Sequence, residues 1–401
     1  MSEIGLETLN KSRVALNFVF ASMGLAIMSA ATRYAEIKEM AGVGDAVFGY
    51  ALAAGTIGGL TGNFLSHRFI HALGNNLVIR IFGFIMMTSV AMQSFASSAG
   101  FIAVCAAASA FGYSTMNVAV NAAGVEVEIA LNRSVMPMFH ASWSMGALAT
   151  SLVGNIVAGF VTPKVHLFSI WAIALFSLFV SIQQVTDPNK DLPKPDRNAP
   201  VSWQTRKILL GISIASALGM MAEGTSYNWS AIYFHEVIGL PIGPNSLGLT
   251  AFLLAQITGR VLVGRLNDKY GLHKVIRTSA ALGGTAYLAI LIINSQLISV
   301  ESYRGSAVAL VISMFGFVCV GLGVAALPAG YMAGAGRVAG IATTRAISIV
   351  AVTNTSLALI FQPIISTIVG SFGLSIALMV AAVALLVSAY RSKVLAPTSA
   401  L

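Results

Sequence analysis

Runs of about 20 consecutive apolar residues, the length that crosses a hydrocarbon core as a helix, recur between residues 14 and 390 with only short polar interruptions. No other feature restricts the fold so strongly. Of the 401 residues, 57% are hydrophobic and 9% are charged, against about 25% charged in a soluble domain. The chain therefore reads as an all-α integral membrane protein, since helices satisfy their own backbone groups in lipid. Twelve helices are predicted near 14–35, 46–65, 77–96, 101–125, 135–161, 167–185, 208–234, 246–263, 275–297, 306–327, 341–365 and 372–390. Between the sixth and seventh lies "TDPNKDLPKPDRNAPVSWQTRK", too charged and proline-rich to enter the bilayer. The expected organisation is a six-helix bundle over 1–186, a linker over 187–207 and a second six-helix bundle over 208–401, related as a parallel repeat. The first apolar segment is longer than a signal-peptide core and is expected to stay in the mature protein.

The net charge of +9 reports topology. Basic residues flank the spans and form no contiguous arm or stripe, which argues against nucleic-acid binding. With both termini inside, one side of the membrane holds Lys11, Arg13, Arg68, Arg80, Arg133, Lys190, Lys194, Arg197, Arg206, Lys207, Arg265, Lys269, Lys274, Arg277, Arg337, Arg391 and Lys393. The other holds Lys38, Lys164 and Arg304, with Arg33 nearby. The positive-inside rule makes the first side cytoplasmic. Cys105 and Cys319 both fall inside spans, so neither a disulfide framework nor a zinc cluster is expected. No P-loop, G-x-S-x-G, zinc signature or dinucleotide fingerprint is present. An enzyme and an ATP-driven pump are therefore not expected, and no cofactor or metal is implied.

Certain polar residues stand out because hydrocarbon penalises them. "MNVAVNAAGVEVE", residues 116–128, sets two amides and two carboxylates at the end of an apolar run. On a helix Asn117, Asn121 and Glu128 fall within about 40°, and Glu126 points roughly opposite Asn117. Amides that donate and accept suit the hydroxyls or amides of a polar solute, or bond neighbouring helices. Glu223 stands midway along the seventh predicted helix, where an intramembrane carboxylate is by default a functional hypothesis. Tyr227 and Ser230 share its face by i+4 and i+7 spacing, while Asn228 and Trp229 lie off it. Desolvation favours the neutral form of a carboxylate, the property a proton carrier needs; the alternative is a structural partner to backbone or arginine. In the fifth helix His140, Trp143 and Ser144 share a face, and His is the side chain that titrates most readily near neutral pH. Arg33 is expected either to serve an anionic group or to pair with Glu36 by snorkelling outward.

Three segments carry a resemblance. "GRLNDKYGLHK", residues 264–274, resembles the loop signature G-x-L-x-D-(R/K)-x-G-x-x-(R/K) of the major facilitator superfamily, with Asp268 as its acid. At the corresponding place after the second helix, "GNFLSHRFIHALG" departs from the pattern, with Ser66 replacing the acid. "NVAVNAAGVEVEIALNRSVMPMFHASWSMGALA" and "AEGTSYNWSAIYFHEVIG" look like the signature segments of a bacterial inner-membrane permease group distantly related to the fucose/proton symporters. That group's pattern reads approximately D-x-x-x-N-x-x-x-x-E-x-E, F-H-x-x-W-S-x-G and A-E-G-x-x-x-D-W-S. Here Asn117 and Asn228 replace its two aspartates.

The resemblance implies the major facilitator fold and a secondary transporter of a bacterial inner (cytoplasmic) membrane working by alternating access. It implies proton-coupled uptake of a small, sugar-like polar solute, with the solute, protons and the lipid bilayer as partners; a monomer suffices. On that basis Asn117, Asn121, Trp143, Tyr227 and Asn228 are expected to bind substrate. Glu223, Glu126 and His140 would couple protons, and Asp268, Arg260, Arg345, Glu128 and Arg133 would gate. The fifth helix lacks the Gly-Pro pair of superfamily antiporters, yet export or antiport of a metabolite or drug remains an alternative. So does a non-transporting membrane sensor or scaffold.

Overall fold

The structure, a computed structural model, describes residues 5–131, 135–186, 201–300, 302–338, 341 and 343–395, with the side chains of 137, 343–345, 348 and 355 excepted. Among these residues every regular element is helical. In chain order the twelve helices are Leu6–Met40, Asp45–Leu73, Asn75–Phe95, Ala99–Leu131, Met136–Val157, Pro163–Ile182, Trp203–Val237, Pro244–Tyr270, Leu272–Leu297, Ala307–Gly336, Thr343–Phe372 and Leu374–Leu395. They are numbered first to twelfth below. Ten are long and apolar enough to cross a membrane. The other two, the second and fifth, are diluted by glycine and by Ser, Thr, His and Asn respectively. Together they form the all-α, multi-pass fold expected from the sequence.

Most helices outrun the apolar cores that announced them, because a helix continues into the polar interface. The fourth runs to Leu131, so Glu126 and Glu128 lie within it. The eighth runs to Tyr270, so most of the expected "GRLNDKYGLHK" loop is helical and its turn is Gly271 alone, at φ 83°. Gly74, at φ 78°, makes the same one-residue turn between the second and third helices, and Gly373, at φ 83°, between the eleventh and twelfth. Only glycine adopts such angles at no steric cost. Matching the turns at Gly74 and Gly271 sets His71, not Ser66, opposite Asp268; Ser66 is buried, its hydroxyl donating to the Asn63 carbonyl. The last residues of the expected linker, 203–207, form the start of the seventh helix, capped by Ser202 Oγ, which accepts from Thr205 N at 3.1 Å. Residues 187–200 lie outside the described part.

The chain divides into two compact units, Met1–Pro193 and Lys194–Leu401. In the first, Leu16, Val19, Phe20 and Met23 of the first helix pack with Val78, Phe82, Met86, Met116, Val120, Phe139 and Leu178 in one buried cluster. In lipid, helices gain by close packing of small residues rather than by leaving water, and the contacts show it. A Cβ on Gly24 would fall 2.0 Å from the Trp143 carbonyl oxygen, and one on Gly146 2.0 Å from that of Ala21. The first and fifth helices thus touch backbone to backbone. Gly58 does the same against the Ala107 carbonyl, at 1.9 Å, joining the second and fourth helices.

In the second unit, Gly321 approaches the Phe252 carbonyl and Gly283 the Cys319 carbonyl, each at 2.5 Å from a would-be Cβ. Polar clasps accompany these crossings. Ser388 Oγ donates to the Ala215 carbonyl at 2.6 Å, and buried Asn294 takes the Tyr303 phenol at 2.6 Å while donating to Ser313 and Tyr233. Meanwhile Phe64, Phe176, Leu282 and Phe372 are exposed. Large apolar side chains outside and hydrogen-bonded polar ones inside are what a bilayer solvent demands.

Candidate functional site

The densest polar constellation belongs to the second unit. The seventh helix presents Glu223 and Tyr227, four residues apart, and the eighth presents Gln256 and Arg260 at the same spacing. Both pairs therefore stack one turn above another and meet. Glu223 Oε1 accepts from Gln256 Nε2 at 2.8 Å, from Tyr227 OH at 3.0 Å and from Arg260 Nη2 at 3.3 Å. The Tyr227 oxygen also lies 2.8 Å from Gln256 Oε1, and its ring packs edge-on against Phe252 at 5.2 Å. Gln256 is fully buried and the Glu223 side chain is 12% accessible. Glu223 Oε2 makes no hydrogen bond among the described residues.

Ser230, which shares the expected stripe, is fully buried and its hydroxyl has no partner among the described residues. Trp229 is also buried. Half-buried Asn228 makes no side-chain hydrogen bond there, and neither does Gln362. The Gln362 amide nitrogen, from the eleventh helix, stands 3.5 Å from where a Gly224 Cβ would sit, one turn before Asn228. Sequence reasoning missed both glutamines. Gln256 could have been found from its i−4 relation to Arg260 on an otherwise apolar stretch; Gln362 has no such flag.

In the first unit, Asn121 Nδ2 donates to Asn117 Oδ1 at 3.0 Å and to the Asn117 carbonyl at 2.7 Å. Among the described residues that leaves Asn117 Nδ2 and Asn121 Oδ1 as unused donor and acceptor. The Trp143 indole N–H, from the fifth helix, has no partner among the described residues. Beside it Ser142 Oγ donates to Asn17 Oδ1 at 3.0 Å. His140 is exposed at an edge of Phe20, the ring centres 5.6 Å apart.

The two fourth-helix glutamates separate in role, as their opposed directions imply. Glu128 Oε2 accepts the Val135 and Met136 amides at 2.7 and 2.9 Å, filling otherwise unused donors at the start of the fifth helix. Glu126 is half-buried. Asp268 is exposed and makes no ion pair among the described residues. Arg133 and the Arg345 side chain lie outside the described part. Arg260 is found reaching Glu223 within its own unit.

Arg33 does not snorkel. It is fully buried, donating Nε to His166 Nδ1 at 2.9 Å, Nη1 to both Glu36 oxygens at 2.9 and 3.0 Å, and reaching the Ala158 and Val161 carbonyls at 3.2 Å. It ties the end of the first helix to the turn between the fifth and sixth. An open cleft of about 820 Å³ lies against His235, Glu236, Gly239, Leu240, Pro241 and Arg304. It begins twelve residues beyond Glu223, about 18 Å along the helix, and is separate from that network. No cluster of three or more His, Cys, Asp or Glu able to hold a metal occurs among the described residues.

Twelve membrane-length helices, with amides and a carboxylate turned into the protein rather than the lipid, define a multi-pass carrier of solutes. The chain belongs to the Major Facilitator Superfamily, whose family model matches residues 14–344, and it is a transporter rather than an enzyme. An uncharacterized transporter of Sinorhizobium fredii, y4wD, is 29% identical over 311 residues, 77% of this chain and 78% of that one. The membrane protein MosC of Rhizobium meliloti is 25% identical over 369 residues, 91% of this chain and 85% of its own. Among solved structures, the nucleoside transporter NupG superposes with a TM-score of 0.70 at 11% identity, covering 97% of this chain and 99% of that one. A D-xylose-proton symporter gives 0.70 at 10% identity, covering 98% and 97%. These last two likenesses show the fold.

Proposed function

We propose that this transporter takes up a small, neutral, hydroxyl-bearing solute across a bacterial inner membrane, driven by protons that bind at Glu223. The observation carrying this reading is the Glu223 carboxylate itself. It is half-buried in a membrane helix, has one oxygen inside a hydrogen-bonded network, and its other oxygen is unused. An ionisable group so placed is costly and is by default a functional hypothesis. Arg260 Nη2 faces Glu223 Oε1 at 3.3 Å, so the guanidinium is turned to the coupling carboxyl rather than offered to an ionic solute. The unused groups are Asn228 and Gln362 in the second unit and Asn117, Asn121 and the Trp143 N–H in the first. All are neutral donors and acceptors of the kind that match hydroxyls. That the solved relatives include a nucleoside transporter and a D-xylose-proton symporter agrees with such a solute. The lysine and arginine bias supports cytoplasmic termini, and the proposed cycle needs only one chain.

The test is solute-screened uptake into proteoliposomes with and without an inward proton gradient, comparing the intact protein with Glu223→Gln. Accumulation that needs the gradient and is lost in the variant, while exchange of solute across the membrane survives, is the expected result. Equal uptake with and without the gradient would refute proton coupling.

A further inference from the structure

Counting protons around Glu223 leads further. Three contacts close a ring: Glu223 Oε1 to Tyr227 OH at 3.0 Å, Tyr227 OH to Gln256 Oε1 at 2.8 Å, and Gln256 Nε2 to Glu223 Oε1 at 2.8 Å. Each contact needs one hydrogen between its heavy atoms. The Gln256 amide supplies the hydrogen for the third. The Tyr227 phenol has only one hydrogen to give, and a carboxylate and an amide carbonyl have none. With Glu223 ionised, one of the two tyrosine contacts would therefore set two oxygens 2.8 or 3.0 Å apart with nothing between them. A proton on Glu223 Oε1 resolves the shortfall. Glu223 O–H donates to the Tyr227 oxygen, Tyr227 O–H to Gln256 Oε1, and Gln256 N–H back to Glu223 Oε1, all in one rotational sense. The free oxygen, Oε2, is then the carbonyl of the acid.

Arg260 Nη2 also reaches Glu223 Oε1, at 3.3 Å. Arg260 is the charged group that the eighth helix turns toward Glu223. From the tenth helix the described neighbour of the seventh is Leu327, against Gly219 one turn before Glu223; from the eleventh at this level it is Gln362, and from the twelfth the described clasp is Ser388; none of the three titrates.

We infer that Glu223, Tyr227 and Gln256 form a one-proton site whose hydrogen-bond ring is complete only when Glu223 is protonated. In it Tyr227 and Gln256 are positioning residues that register the proton. On deprotonation the phenol turns to the carboxylate, Gln256 Oε1 loses its donor, and Arg260 gains a full negative charge to pair with. The seventh and eighth helices, joined here through the ring, thereby exchange one set of contacts for another. This inference rests on the proposed proton role of Glu223 but does not need a known solute.

The experiment is infrared difference spectroscopy of the full chain in lipid, using a pH change as the only stimulus. A carboxylic-acid C=O band that disappears as pH rises, and is absent in Glu223→Gln, is expected. In Tyr227→Phe, which removes one oxygen and leaves the ring packed on Phe252, the acid loses its acceptor and the band moves to higher frequency. Gln256→Leu shifts it as well. Thermal unfolding gives a second readout. Glu223→Gln cannot close the ring, because no single amide atom both donates to Tyr227 and accepts from Gln256; with no titrating group at 223, its midpoint is expected to lack the pH-dependent fall that the intact protein shows as the proton leaves. Absence of a Glu223-dependent acid band, or a band indifferent to Tyr227→Phe, would overturn the ring. Because no transport is measured, a failure of proton-driven uptake with the band present would sink the coupling proposal alone.

Discussion

At the scale of single residues, buried polar groups in this chain fall into those that fasten and those held ready. Arg33 fastens. Replacing it with Met would take the guanidinium away from Glu36, His166 and two carbonyls, and removing one partner of a buried charge pair costs about 3–5 kcal/mol. Because Glu36 keeps some solvent access, 16% of its side chain, the lower end is expected, read as a fall in unfolding midpoint in detergent. Glu128→Ala removes the acceptor of two amides and is expected to cost about 1–2 kcal/mol while leaving solute binding in place, which separates it from a gate residue. Glu223 was legible in the sequence because an intramembrane acid has few innocuous explanations. Gln256 was not, since a lone glutamine in an apolar helix looks the same whether it serves a network or merely bonds a neighbour. Its meaning comes from the eighth helix meeting the seventh, a tertiary fact. Arg33 was legible in part, its pairing with Glu36 foreseen and its burial not, for a related reason. Its partners His166, Ala158 and Val161 lie more than a hundred residues away, and spacing shows only Glu36.

Helices were the most legible level. Twelve apolar runs gave twelve helices in the right places, because hydrocarbon leaves the backbone no other choice. Their ends were less legible, since interfacial residues such as Asn267 and Lys269 continue a helix without being apolar. Packing between helices was invisible except as unexplained glycines. Gly24 and Gly146 now have a reason, as backbone contacts between the first and fifth helices. Gly24→Val and Gly146→Val are each expected to force those helices apart, costing at least as much as a typical overpacked core, about 1–3 kcal/mol, and to reduce the yield of monodisperse protein. Gly264→Val is the control: nothing stands within 4 Å of a Cβ there, so its unfolding midpoint should match that of the unaltered protein within about 0.5 kcal/mol of stability.

For the molecule as a whole, charge placement carries the prediction. Single cysteines introduced at Lys190 and Lys164, in a background with Cys105 and Cys319 changed to Ala, are expected to react with a membrane-impermeant thiol reagent from opposite faces. Lys190 is the one shielded in intact cells. Labelling of both from the same side would break the assigned topology. The superfamily was readable from one loop signature and a helix count, and the comparisons agree. The solute was not, because neutral amides recognise a pattern of hydroxyls without spelling out which molecule bears it.

The one-residue turns at Gly74, Gly271 and Gly373 have a consequence for how this protein is made. Consecutive Cα atoms are about 3.8 Å apart, so a single residue leaves no slack between the helices it joins. The two helices of each such pair are therefore expected to enter the bilayer together, as a hairpin turned at its glycine. Replacing any of the three with a branched residue would then act during biosynthesis, and its first symptom would be degradation of the nascent chain rather than a weakened finished transporter.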